Sequence, residues 1–137
     1  MSTTATITRV IEQTECGIKV ALVYVHTDGH RLGEQLKQYY TSENKVIDLI
    51  NHGDIYSLSA NIYPDSFKPH TFDNSQDSVC LFYCRDGGND WEDCKPIVYV
   101  VKQLIDLRNI DQQEYNYIFM NGKWYVRRDY SNTLKEV

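Results

Sequence analysis

The chain has 137 residues and a mass of 16.0 kDa, 42% hydrophobic and 24% charged, which fits a single domain over 1–137 of ordinary globular composition. Three prolines and seven glycines exclude a collagen-like or Pro-rich chain. A net charge of -5 argues against non-specific DNA binding, and the longest apolar stretch, Ile97 to Val101, is far short of the roughly 20 residues of a membrane span.

The chain starts Met1-Ser-Thr-Thr-Ala-Thr, with no basic start and no apolar core, so no secretory leader is expected. With four cysteines, this suggests reduced thiols in a cytoplasm. Ala5 to Gln13 alternates and is β-branched, which predicts a strand. Glu15-Cys16-Gly17 supplies a turn, and Ile18 to His26 a second strand, paired with the first as a hairpin. Thr27-Asp28-Gly29-His30 breaks it. Leu32, Leu36, Tyr39 and Tyr40 lie at helical spacing within Arg31 to Tyr40. A second helix fits Ser42 to His52, with Ser42 as cap, Val46, Leu49 and Ile50 on one face, and Gly53 to end it.

From Asp54 to Asp77 the pattern fails, leaving a long connector of the kind that is functional or covered by a partner. Ser78 to Arg85 is an apolar run that reads as a buried strand, followed by a loop to Trp91. Pro96 to Arg108 is ambiguous. Val98, Val101, Leu104 and Ile105 favour a helix, while Ile97 to Val101 also suits a strand. Tyr115 to Met120 and Lys123 to Asp129 flank Asn121-Gly122, the preferred pair for a type I′ hairpin turn. The expected fold is α+β: an antiparallel sheet of about five strands with two or three helices packed on one face.

Three constellations bear on chemistry. In Cys84-Arg85-Asp86-Gly87-Gly88-Asn89-Asp90-Trp91, two glycines let backbone N–H groups turn toward an anion, and Arg85 adds a fork for phosphate. Phe82 and Trp91 flank the loop as plates for a purine, and Asn89 suits a base edge or ribose. The plainer reading is a tight turn whose arginine pairs with an aspartate. On Lys123 to Arg128, alternation puts Arg127 on one face and Arg128, with Trp124, on the other. Arg128 is an anion ligand if that face is covered, and a solvated strand-end arginine if not. Arg108 is a third cation, or simply a charge at a helix C-terminus.

His26-Thr-Asp-Gly-His30 holds two candidate metal ligands at a turn, too few for a site, and no metal or other cofactor is expected. The cysteines lack zinc-finger spacing and read as packing thiols. No catalytic signature is present.

Several segments together carry a resemblance. They are Tyr24-Val-His-Thr-Asp-Gly29, Gly33 to Tyr40, Lys45 to Asp54, Phe72-Asp73, Tyr83 to Gly88 and Asn121-Gly-Lys-Trp-Tyr125. The pattern, covering most of the chain, resembles small phage proteins of the Thoeris anti-defence family known as type one. The first motif usually has an aromatic residue where this chain has Thr27. The resemblance implies a non-enzymatic sponge in the cytoplasm of an infected bacterium. Such a protein sequesters a cyclic ADP-ribose-type immune signal, in some members also cyclic oligonucleotides, without degrading it. It further implies a homo-oligomer, either a dimer or a hexamer of dimers, with the ligand between protomers. Carried onto this sequence, the ligand-binding residues are Phe82, Arg85, Asn89, Arg108 and Arg128, with Trp91, Asn109 and Arg127 as weaker candidates. Two other readings stand beside this one: a protein–protein inhibitor of a host enzyme, and an enzyme that cleaves the signal.

Overall fold

The computed structural model describes residues 4–26, 29–109, 113–128 and 133–137, the side chains of Arg108 and Asn109 excepted. Strand β1 (Ala5–Thr14) and strand β2 (Gly17–Val25) form the expected antiparallel hairpin, with a bulge between Val10 and Glu12. A single 3-10 turn, Gly29–Arg31, leads into helix α1 (Leu32–Tyr39). Helix α2 (Glu43–Asn51) starts where Ser42 Oγ accepts the Lys45 N–H. It stops before Gly53, whose positive φ of 82° and lack of a side chain let Asp54 donate to the Cys94 carbonyl at 2.8 Å.

The rest of the sheet is β3 (Ile55–Ser57), β4 (Leu81–Phe82), β5 (Ile97–Val101), β6 (Tyr115–Met120), β7 (Lys123–Arg128) and β8 (Lys135–Glu136). A one-turn helix, α3 (Trp91–Cys94), precedes β5. The order across the sheet is β4-β3-β2-β1-β6-β7-β8, and β5 pairs with the first half of β2. Asn121 and Gly122 take φ of 55° and 78°, as a type I′ turn requires.

The α+β class stands, but the sheet is mixed and larger than expected. β1 runs parallel to β6, and β2 parallel to β3. Two antiparallel hairpins lie side by side, and the long connection between them, which carries the helices and β3 to β5, returns the chain with the first strand of the second hairpin alongside β1. Pro96 to Arg108 is not a helix. Its β-branched start pairs with Ile18 to Leu22, and only Leu104–Asn109 coils, as a 3-10 turn. Ser78 to Arg85 is not one long strand either. Asp86 bends the chain by accepting the Phe82 N–H on its carboxylate, while the Asp86 N–H returns to the Phe82 carbonyl.

The main core lies between α1, α2 and one sheet face. Ile7, Val23, Leu32, Leu36, Tyr40, Leu49, Ile55, Phe82 and Tyr117 are buried there. Trp124 Nε1 donates to the Tyr40 carbonyl at the end of α1, so its indole is satisfied where it is buried. A smaller cluster, Val20, Val101, Leu107 and Ile118, covers the other face. At one end of that face runs a row of side chains in register: Tyr24, Thr6, Asn116 and Arg127. Asn116 Nδ2 donates to Thr6 Oγ1 at 2.9 Å. Among the described residues, no helix is long and apolar enough to cross a membrane.

Candidate functional site

The Arg85 loop is an internal knot. Arg85 Nε and Nη2 bond both carboxylate oxygens of Asp86, Nη1 reaches the Ile62 carbonyl at 2.7 Å, and Nη2 the Cys80 carbonyl at 3.0 Å. Four of the five N–H donors of a guanidinium are thus engaged. The backbone N–H groups of Asp86, Gly87, Gly88 and Asn89 all donate to carbonyls of Phe82, Tyr83 and Cys84. A loop whose donors point inward is not an anion cradle.

His70 completes the knot. Its Nδ1 accepts the Gln76 N–H, which places the ring proton on Nε2, facing the Cys80 carbonyl at 2.9 Å. Phe82 is fully buried, with His52 stacked at 4.8 Å and the Arg85 guanidinium at 4.8 Å, so no face is open to a purine. Asn89 and Trp91 are exposed at the rim. The plainer reading of this segment, a turn with its arginine paired to an aspartate, describes what is seen. Thr27 and Asp28 of the His26–His30 segment, and the side chains of Arg108 and Asn109, lie outside the described residues. Among the described residues, no cluster of His, Cys, Asp and Glu is arranged to hold a metal ion.

The last hairpin divides its two arginines. Arg127 is buried in the polar row with Asn116, and Arg128 sits on the helix-side face beside Tyr115. Five strand spacings, roughly 24 Å along the sheet, separate Phe82 from Arg128. The phosphates of a pyrophosphate share one bridging oxygen. Arg85 and Arg128 of one protomer therefore cannot clamp the same pair.

Arg128 opens onto a groove of about 440 Å³. Its lining includes His30, Gly33, Glu34, Tyr117, Val126 and Lys135. The size is that of a small-molecule site. The guanidinium lies 5.8 Å from the Tyr115 ring, which stacks with Tyr117 at 6.3 Å. Tyr117 is the keystone. Its hydroxyl donates to the Gly29 carbonyl at 2.7 Å, holding the turn that carries His30. Burial, only partly offset by a bond from the Gly33 backbone, pushes its hydroxyl up to about 12, so it stays a donor at every physiological pH. Gly33 sits close under the groove: a Cβ there would lie 3.1 Å from Val137 and 3.2 Å from the Tyr117 ring.

Of the residues at this groove, sequence reasoning named Arg128 as a candidate and weighed His30 only as a metal ligand, and it named none of Tyr115, Tyr117, Glu34 and Lys135. One signal was available. A two-residue turn at Asn121-Gly122 fixes the register outward from Met120 and Lys123, and that register sets Tyr115 opposite Arg128.

No known protein family, characterised protein or solved structure matches the chain.

Proposed function

We propose that the protein captures a cyclic ADP-ribose-type nucleotide and holds it intact, and that the Arg128 groove is where it does so. The observation that carries this reading is a guanidinium steadied over an aromatic ring at the mouth of a groove of about 440 Å³. A planar cation on a ring offers a bidentate grip to phosphate. The groove wall adds Lys135 as a second cation, and Tyr117 and Val126 supply apolar surface for a base. The acidic chain disfavours nucleic acid, and Arg128 supplies a single phosphate contact within it.

In this proposal the protein is a phage counter-defence sponge in the cytoplasm of an infected bacterium and works without turnover, as the resemblance of its motifs implies. It would assemble as a dimer or a hexamer of dimers, a partner copy closing the open side of the groove. A cyclic oligonucleotide remains a second ligand to try.

Calorimetric titration with 1″–2′ and 1″–3′ glycocyclic ADP-ribose tests the reading, followed by heat release and chromatography of the ligand. Saturable binding with intact ligand recovered is expected. No binding of either isomer contradicts the reading, and recovered ADP-ribose fragments would instead mark an enzyme that cleaves the signal.

One observation favours the second reading, inhibition of a host enzyme through a protein contact. Phe67 is 95% exposed on a turn tied by hydrogen bonds. The Gln76 side chain holds that turn through the Asp65 N–H and the carbonyls of Asp65, Lys68 and Pro69. Under that reading Phe67→Glu abolishes capture of the enzyme and leaves nucleotide binding as it was. Under the sponge reading Phe67→Glu has no effect on counter-defence.

A further inference from the structure

The groove is not simply cationic. Arg128 and Lys135 share it with Glu34, on the first turn of α1, and Glu136 on β8. These four formal charges cancel, which is a poor design for an anion alone. Glu136 is already tied to Lys123 at 3.4 Å. Glu34 is not tied: among the described residues it makes no ion pair, and none with Arg128, although both line one groove. A carboxylate left open beside an open guanidinium presents acceptors and no donors. It repels phosphate and rewards hydroxyl or amino groups.

We propose that the groove is divided, with Arg128 as the anion subsite and Glu34 as the subsite for the donor groups of the same ligand. The ligand class is then a phosphate ester that carries a ribose diol or an exocyclic amine within reach of its phosphate. This rests on the reading of the groove as a nucleotide site and adds a determinant of specificity to it. Glu34 selects a nucleoside phosphate over a bare phosphate, because a bare phosphate pays the repulsion and gains no donor contact.

The test turns on the sign of one substitution. Glu34→Gln removes a negative charge from the groove. If Glu34 were only a rim charge, that change would tighten every anionic ligand. The proposal requires the opposite for the nucleotide. Binding of 1″–2′ glycocyclic ADP-ribose should weaken by about tenfold, because the amide keeps one neutral acceptor and turns the other, charged acceptor into a donor. Inorganic pyrophosphate, followed by phosphorus NMR, should bind the variant at least as well as the wild type. That second arm guards against damage to the fold, which would weaken both. Glu34 is exposed on a helix surface, so the variant is expected to fold.

Nucleotide binding by Glu34→Gln that is unchanged or tighter overturns the divided groove and leaves the site itself standing. A parallel loss of both ligands also overturns it. Failure of the wild-type protein to bind the glycocyclic nucleotide at all overturns the site and the division together.

Discussion

Arg85→Ala and Arg128→Ala should separate stability from binding. Asp86 is only 4% exposed, and Arg85 is its bidentate partner. Removing the guanidinium leaves a buried carboxylate without its cation and takes a donor from the Ile62 carbonyl, while the Cys80 carbonyl keeps His70. Losing one partner of such a pair costs about 3 kcal/mol or more. For a domain of this size that is a fall in Tm of roughly 10 °C, read by calorimetric melting. Arg128 is exposed and holds nothing in the core. Arg128→Ala should melt within a degree or two of the wild type and lose about tenfold to a hundredfold in nucleotide affinity. The reverse pattern would exchange the roles of the two arginines.

Asp54 carries a pH prediction. Burial raises its carboxyl above the ordinary value, partly offset by the Tyr24 N–H it accepts at 2.9 Å. The folded state therefore holds that proton more tightly than the unfolded chain does. The stability this confers is complete below about pH 4, and it is lost as pH climbs through the raised folded value. Asp54→Asn keeps an oxygen for Tyr24 and removes the titration. It should be at least as stable as wild type at pH 7, with the gain shrinking toward pH 4. Thermal melts of both proteins across that range check it, and a variant that loses ground to the wild type as pH rises from 4 to 7 would show the sign to be wrong.

At the scale of elements, local chemistry decides two substitutions. Ser42→Ala removes the cap of α2 and should cost about 1 kcal/mol in denaturant melts. Gly122→Ala meets no neighbour within 4 Å, so its cost is purely that of φ 78° for an alanine, about 1 kcal/mol. A larger loss would mean that the hairpin turn is packed against something else.

Elements of this kind were legible in the sequence because their signals are local. The Ser42 cap, the Asn-Gly turn and the β1–β2 hairpin each join residues close in sequence and were read with near-correct bounds. β3 and β8 were not legible, because two or three residues carry no period, and β4 was read within Ser78 to Arg85 but far too long. β5 was misread because Val98, Val101, Leu104 and Ile105 straddle a strand and a 3-10 turn. Their spacing mimics one helical face, while the β-branched content alone pointed the right way.

Over the whole molecule, what the sequence hid was the lateral order of the strands. Nothing in Ala5 to Thr14 announces that it will lie parallel to Tyr115 to Met120, since the pairing joins residues as far apart as Thr6 and Asn116. The same gap explains the mixed fate of the candidate site. Arg85 and Arg128 each read as phosphate ligands, and only the strand order shows them five strands apart. Arg85 is tied down by carbonyls of Ile62 and Cys80 that no motif around it names. Arg128 acquires Tyr115 from a register the turn dictates, and Glu34 from a helix that packs across it.

On the proposed reading, a nucleotide occupies the groove beside Arg128 and not the loop of Arg85. Amide and arginine side-chain shifts in a nitrogen–proton NMR titration with glycocyclic ADP-ribose test it most directly. The claim requires saturable shifts at Gly33, Glu34, Tyr117, Val126 and the Arg128 Nε–H, with Gly87, Gly88 and Asn89 unmoved. Shifts confined to Gly87, Gly88, Asn89 and the Arg85 Nε–H, with the groove silent, would contradict it.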